Sequence, residues 1–390
     1  MHLDAFASRQ PHQRLVALYE TKMASLIGSP AGNAIDALRR LMLSPLFSGP
    51  LLAAVTWTPE QTRRVLGLIS ERLSTIELGS AMGSERSGVV LALRILFGIG
   101  LARFINKRLS SSAANGWRLS SPGGWDWRQE IAVVTGGSGG IGAKITERLV
   151  KLGVRVAVLD VTELPTTLQN NASVRFYQCD ITSFESVAKA AQGIREDFGH
   201  ASILINNAGI ANHEPMPILD DTEGFLKKVF AVNCVGMWAT TKQFLPHMVQ
   251  QNKGHVVTVS SIAAFSTFPA GVGYSASKAA TLSFHEGLTS ELKHLYKAPK
   301  VMTTVVHPNF VRTPLLGRMI EGLEQLGVRP MEPDNVAEAI VDQIVSMRGG
   351  QVFVPAVSSL VAGMRGWSTW LQEMARDASG RVAAKSHNQS

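Results

Sequence analysis

Cysteine is almost missing from these 390 residues. Cys179 and Cys234 are the only two, too few for a disulfide framework and wrongly spaced for a zinc ligand set. A reducing compartment is expected and a metal is not, since the ten histidines include no H-E-x-x-H pair. Charge is also sparse, 17% against 45% hydrophobic residues, which leaves ample material for a large buried core. The first forty residues lack a basic segment followed by an apolar one, so no cleaved signal peptide is expected. Nor is there a clean apolar run of the ~20 residues that a membrane-spanning helix needs. Leu41 to Trp57 is interrupted by Pro45 and Pro50, and Gly88 to Ile105 carries Arg94 and Arg103. An arginine near the centre of a span costs on the order of 2.5–3.5 kcal/mol.

Acidic residues are short in one place only. Residues 1–128 hold 15 Lys/Arg and 8 Asp/Glu, a difference of +7 that is nearly all of the chain's formal +8. These basic residues are scattered among aliphatic ones with no aromatic stacking platform, so a membrane surface fits better than nucleic acid. Gly88 to Ile105 then lies in the interface, its arginines reaching the headgroups with Lys107 and Arg108 beyond, or it belongs to a helical hairpin packed on the core. Amphipathic helices are expected around Leu15 to Ile27 and from Thr58-Pro59 into Val65, Leu66, Ile69, Leu73 and Ile76. Residues 1–109 are thus read as a helical extension, 110–127 as a Ser/Gly/Asn-rich linker, 128–356 as the main domain and 357–390 as an amphipathic tail. Trp117, Trp125 and Trp127 around the linker are interfacial anchors or lids on the first strand.

The main domain starts with IAVVTGGSGGIGAKITERLVKLGVRVAVLD, Ile131 to Asp160. A short apolar run, a glycine cluster, an amphipathic stretch closed by Gly153 and a second apolar run read as strand, turn, helix and strand. Glycines let main-chain N–H groups approach a pyrophosphate at the start of a helix, where unpaired donors favour an anion. Asp160 then stands where a carboxylate can accept from an adenosine ribose. The same loop is equally a tight strand-to-helix turn with no ligand, and Asp160 a cap on the following turn.

Alternation continues: Val174 to Gln178, a helix from Phe184 to Phe198, Ile203 to Ile205, a long helix from Asp220 to Gln250, then strands His255 to Val259, Val301 to Val306 and Gln351 to Val354. Short apolar runs between amphipathic helices imply an α/β fold with a doubly wound parallel sheet of seven strands. Asn206-Asn207-Ala208-Gly209 closes the fourth strand, at the end where open α/β sheets bind ligands. Thirteen residues after Ser261 comes Tyr274-Ser275-Ala276-Ser277-Lys278. Four apart on a helix, Tyr274 and Lys278 share a face. A neighbouring ammonium favours the phenolate of a tyrosine whose ordinary pKa is about 10, and a serine hydroxyl stabilises a developing alkoxide.

Thr135-Gly136-x-x-x-Gly140-x-Gly142, the N-N-A-G run, Asn233-x-x-Gly236, Ser261 and Y-x-x-x-K occur in the order that resembles the short-chain dehydrogenase/reductase family. The resemblance covers about residues 130–356. The basic apolar extension and Trp125-Asp126-Trp127 look most similar to its membrane-associated retinol and 17-beta-hydroxysteroid dehydrogenase-like branch. It implies a Rossmann fold and a catalytic set of Asn233, Ser261, Tyr274 and Lys278, with Asn233 kinking its helix and holding a water in a proton relay. It also implies cofactor contacts from Gly136, Ser138, Gly140, Ile141, Gly142, Asp160, Asp180, Ile181, Asn207, Ala208, Gly209, Tyr274, Lys278, Pro308, Val311 and Thr313. NAD(H) is favoured over NADP(H), because Asp160 repels a 2′-phosphate and neither Val161 nor Thr162 offers a cation. His307 to Pro314 resembles the family's P-G…T segment with Asn309 in place of glycine, a residue that tolerates a left-handed backbone.

The expected reaction interconverts an alcohol and a carbonyl on a lipophilic substrate of retinoid, steroid or polyketide/fatty type. Its walls would include Phe265, Phe268, Phe310, Leu315, Leu316, Met319 and Ile320, with Leu360, Val361, Met364, Trp367 and Trp370 beyond. The expected place is the cytosolic face of a membrane, endoplasmic reticulum or lipid droplet, and otherwise the cytoplasm. Dimers or tetramers are common in the family, though the extension stands in the way of the usual surface. The competing reading is a catalytically silent nucleotide-binding scaffold of the same fold.

Overall fold

The computed structural model describes residues 41, 43–57, 82–118, 123–212, 214, 216–317, 319–325 and 328–387. The chain divides into two compact units, Met1–Ala113 and Ala114–Ser390.

In the first unit, α1 (Pro45–Trp57) forms across the two prolines expected to interrupt it. Pro45 occupies the first position, where its missing N–H would have no partner in any case, while Pro50 lies inside the helix and forgoes one backbone bond. The second helix, α2 (Met82–Ala114), takes in Gly88 to Ile105 and then continues through Ser110–Ala114, which composition reads as linker. Leu91, Ile95 and Ile99, four residues apart, are exposed along it. Among the described residues no helix is long and apolar enough to cross a membrane. The helices expected at Leu15 to Ile27 and Thr58 to Ile76 lie outside the described residues.

The second unit is built on a seven-stranded parallel sheet of order β3-β2-β1-β4-β5-β6-β7. Its strands are β1 (Ile131–Thr135), β2 (Arg155–Asp160), β3 (Val174–Gln178), β4 (Ile203–Asn206), β5 (Gly254–Val259), β6 (Val301–Pro308) and β7 (Gly350–Val354). Both faces are covered, which is why the central strands read as continuous apolar runs rather than alternating ones. Ala132 and Val134 of β1 face one core with Ile145 and Leu149 of α3 (Gly140–Lys151). Ile131 and Val133 face the other, with Val187, Ala191 and Ile194 of α4 (Phe184–Asp197). Trp125 and Trp127, rings 5.5 Å apart, pack partly buried against the first core and act as lids. Trp117 is exposed instead.

The long helix expected from Asp220 is three pieces. Thr222 caps α5 (Glu223–Phe230) by accepting from the Phe225 N–H, a π turn follows over Ala231–Val235, and α6 (Gly236–Gln251) completes it. The longer helices that remain are α7 (Val272–His294), α8 (Met319–Gln325), α9 (Pro333–Val345) and α10 (Thr369–His387), beside one-turn helices at Thr166–Gln169 and Ser359–Ala362. Strand order reverses between β1 and β4, so the C-terminal ends of β1, β4 and β5 open one crevice.

Candidate active site

The crevice is shaped first by glycine. Gly136 has φ +64 directly after β1, and a methyl group at Gly142 would lie 2.0 Å from the Gly136 carbonyl oxygen. The turn is then locked from β4. Asn207 donates its side-chain amide to the carbonyls of Thr135 and Gly136, both at 3.0 Å, while the Thr135 hydroxyl accepts from the N–H groups of Asn207 and Ala208 at 3.0 Å each. Asn206 points the other way, accepting from Thr240 of α6 at 2.7 Å. The two adjacent asparagines therefore brace a helix and a loop. Thr135 opens the motif in the sequence, but its role as this acceptor was not read there.

Does this cradle fit a dinucleotide? The start of α3 has no side-chain cap, leaving its N–H groups for a ligand, and the buried Ser138 hydroxyl has no hydrogen-bond partner. Asp160, at the end of β2, accepts from the Ser138 N–H and the Thr162 N–H, both at 3.0 Å. Its carboxylate is thereby fixed at the rim while it caps the following turn. Asp180 similarly accepts from the N–H and hydroxyl of Thr182 at 2.9 and 2.8 Å. Ile181 is buried, and a methyl group at Gly236 would sit 2.7 Å from its Cδ1, which explains the glycine of N-x-x-G. At the far side, Pro308 ends β6, Val311 bridges to Met331, and the Thr313 methyl lies against Gly140. Asn309 is not left-handed: its N–H donates to Val354 at 2.8 Å and its φ is not positive. Glycine is unnecessary at that position here.

At the other end stand the residues for chemistry. Ser261 follows β5 and caps a one-turn 3₁₀ helix (Ile262–Ala264), its Oγ accepting from the Ala263 N–H at 3.2 Å. That bond engages the acceptor side of the hydroxyl and leaves its hydrogen to be given away. Tyr274 lies in the first turn of α7, and Lys278 Nζ sits 5.7 Å from its ring centroid, donating to the Val259 carbonyl at 3.0 Å. Burial raises the Tyr274 phenol above its ordinary pKa, and hydrogen bonding with Ser261 acts in the opposite direction. Burial likewise pushes Lys278 down to about 8, with the Cys234 thiol acting in the opposite direction. Burial disfavours the charged form of both side chains, so each is tuned mainly by desolvation.

Asn233 joins these parts. In the π turn its Oδ1 accepts from the Ile210 N–H at 2.8 Å, and its Nδ2 donates to the Ile210 carbonyl and Ser277 Oγ, both at 2.9 Å. Ser277 in turn donates to the Tyr274 carbonyl at 2.7 Å. The Asn233 side chain is engaged in holding β4's exit against α7.

His307, named in the sequence only as the start of the segment ending at Pro314, lies behind Ser261. Its Nδ1 donates to the Ser261 carbonyl at 3.2 Å, Gln351 Nε2 donates to its Nε2 at 3.1 Å, and Phe265 and Phe353 pack on its ring. Burial holds it down to about 4, so it is neutral, and this donor arrangement is the tautomer its two partners dictate. Phe265 therefore belongs to this cluster and does not line the cavity beside Ser261, contrary to expectation.

A cavity of about 770 Å³ adjoins Ser261, Tyr274 and Lys278. Ile141, Asn207, Gly209, Pro308, Val311 and Thr313 line its cofactor side. Phe268, Phe310, Leu315, Leu316, Met319 and Val361 line it as expected, while Ile320, Leu360, Met364, Trp367 and Trp370 do not. Phe225, Leu226 and Val229 of α5 complete the wall. Their helical spacing was legible, but which face met the site was not.

A family model described as short chain dehydrogenase matches residues 130–323. The chain is 39% identical over 222 residues to "Dehydrogenase RED2" of Cochliobolus heterostrophus, covering 57% of this chain and 82% of that one. It is 32% identical over 238 residues to estradiol 17-beta-dehydrogenase 11 of Mus musculus, covering 60% and 77%. The chain belongs to the short-chain dehydrogenase/reductase family. A short-chain dehydrogenase/reductase from Burkholderia phymatum, solved in complex with NAD, superposes with a TM-score of 0.55 at 25% identity over 62% of this chain and 95% of that one. Within the short-chain dehydrogenase/reductase family the likeness is to the 17-beta-hydroxysteroid dehydrogenase-like branch. The protein is an oxidoreductase acting on CH–OH groups.

Proposed function

We propose that this enzyme interconverts an alcohol and its carbonyl on a lipophilic substrate with NAD(H). The observation that carries the reading is one cavity lined largely by aliphatic and aromatic side chains together with Ser261, Tyr274 and Lys278. Apolar walls with a few convergent polar groups select apolar ligands and orient them. Bound NAD(H) supplies the hydride acceptor or donor. Tyr274 takes the alcohol proton in oxidation and returns it in reduction. Ser261, one of its two lone pairs engaged by the Ala263 N–H, donates its hydrogen to the substrate oxygen where negative charge develops. Lys278 holds a positive charge beneath the phenol, stabilising the phenolate against the burial that otherwise disfavours it. Asn233 holds α7 and β4's exit in register and completes the proton relay.

NAD(H) is preferred over NADP(H) because the fixed Asp160 carboxylate would repel a 2′-phosphate, and Val161 beside it is an exposed aliphatic rather than a cation. The NAD complex of the Burkholderia relative supports this reading. Association with a membrane surface through the extension is supported by the exposed Leu91, Ile95 and Ile99 of α2 in a basic segment.

Turnover of a panel of apolar alcohols by wild type and Tyr274→Phe tests the chemistry. A loss of about 10²–10⁴-fold is expected, and equal activity in both would refute the assignment. Fractionation of the full chain against a shortened one beginning near Gly124 tests the surface reading: only the full chain should sediment with vesicles. Equal solubility, with short polar ketones preferred, would reject membrane and lipid together and leave the dehydrogenase intact.

A further inference from the structure

The family match ends at residue 323, but the chain returns to the active site after β7. It runs through a 3₁₀ turn (Ala356–Ser358), a helical turn (Ser359–Ala362) and a second 3₁₀ turn (Gly363–Gly366) before α10. Val361 of this segment lines the cavity. Arg365 reaches further. Its Nη2 donates to the Ala264 carbonyl at 2.7 Å and its Nε to the Phe265 carbonyl at 3.3 Å.

Those carbonyls end the 3₁₀ helix that Ser261 begins. The last carbonyls of a helix have no acceptor role left within it, and a planar guanidinium fork suits two adjacent oxygens. The turn is therefore held at its start by the Ser261 hydroxyl on the Ala263 N–H and at its end by Arg365. Arg365 is itself anchored. Gln372 of α10 donates to the carbonyls of Arg365 and Trp367 at 3.4 and 2.8 Å, and Arg376 donates to Gln372 at 2.7 Å. The same helix passes the loop between Ser261 and Tyr274, since a methyl group at Gly380 would lie 3.8 Å from Pro269.

We propose that Arg365 is a positioning residue for Ser261: by clamping the end of the Ile262–Ala264 turn it fixes the Ala263 N–H that aims the serine hydroxyl, and so makes the C-terminal segment part of the active site. The inference rests on Ser261 being the oxyanion donor. If the clamp opens, the Ala263 N–H moves and the hydroxyl loses the bond that points its hydrogen into the cavity.

The test compares full-length wild type with Arg365→Met, which keeps an aliphatic stem and loses every donor, and Arg365→Lys, which keeps a charged donor group without the planar fork. With the best alcohol of the panel, kcat per NADH-binding site should fall about tenfold in Arg365→Met and less in Arg365→Lys, a misplacement effect. The dissociation constant for NADH should stay within about twofold, since the cradle is untouched. In a Ser261→Ala background, Arg365→Met should add no more than about twofold, because residues acting through one another are not additive. Hydrogen exchange at the Ala264, Phe265 and Ser266 amides, which bond within the turn, should quicken about tenfold in Arg365→Met. Unchanged exchange would mean that Arg365 does not hold the turn. Faster exchange with unchanged kcat, or full additivity with Ser261→Ala, would each overturn the positioning role. A Ser261→Ala enzyme as active as wild type would instead locate the error in the reading of the serine, and faster exchange would distinguish that case. Should Arg365→Met not fold, the kcat and exchange shifts of Arg365→Lys decide.

Discussion

Acid should unfold this enzyme before its carboxylates protonate, because it buries neutral histidines in its core. His255, fully buried, bonds Thr304 through Nε2 at 2.8 Å and leaves Nδ1 without a partner. Burial lowers it to about 3, with a smaller push from His285. His307 is lowered by burial to about 4, and its Nε2 already faces a donor, Gln351. An imidazolium at either place would set a charge in the core with a proton pointing at nothing or at another N–H. In the unfolded chain both titrate near 6.5. Between that pH and 4 the unfolded state therefore binds more protons than the native one, and stability, complete above 6.5, falls as pH falls. Each unit costs about 1.4 kcal/mol per group, so at pH 5 the pair removes on the order of 4 kcal/mol, a large share of a typical 5–15 kcal/mol. The partly buried His285, lowered to about 4 by burial, adds in the same direction. Urea midpoints measured from pH 7.5 to 4.5 should move steeply below 6.5, and His255→Gln, which keeps a partner for Thr304, should flatten the slope by about one proton. A flat profile between pH 7 and 5, or an unchanged slope in His255→Gln, would show that these rings are not the buried neutral groups described.

Three further outcomes follow from individual contacts. Asp160→Ala should bring the dissociation constants of NADH and NADPH together, by weakening the first and relieving the repulsion on the second, as read by fluorescence titration; a gap that stays as wide would show that selectivity lies elsewhere. Gly142→Ala places a methyl group 2.0 Å from a carbonyl oxygen and should cost about 3 kcal/mol or more together with NAD(H) binding, checked by calorimetry. Phe268→Ala should raise KM for long apolar alcohols with little change in thermal midpoint. Phe265→Ala, removing a ring from the His307 cluster, should instead lower stability by about 2 kcal/mol and leave KM alone.

Local chemistry determined much of this protein from the chain alone. A glycine whose methyl group would strike its own loop, a tyrosine and lysine one helical turn apart, and strands apolar on both faces allow few alternatives, because each constraint acts within a few residues. The doubly wound sheet and the placement of Asp160, Asn207, Ser261, Tyr274 and Lys278 around one crevice were therefore legible. Composition misled where it stood in for geometry. Ser110–Ala114 reads as linker yet continues α2, since a helix already formed propagates over weak formers. Pro45 and Pro50 read as breaks, yet the helix starts at the first and runs through the second at the loss of one backbone bond. What only the tertiary structure decided are the contacts between residues far apart in the chain. Phe265 packs on His307 and Phe353 instead of lining the cavity, His307 and Gln351 meet behind Ser261 because β6 and β7 are neighbours, and Arg365 reaches the Ile262–Ala264 turn from a hundred residues away. No spacing in a sequence encodes such a meeting, because it depends on the summed path of every element between.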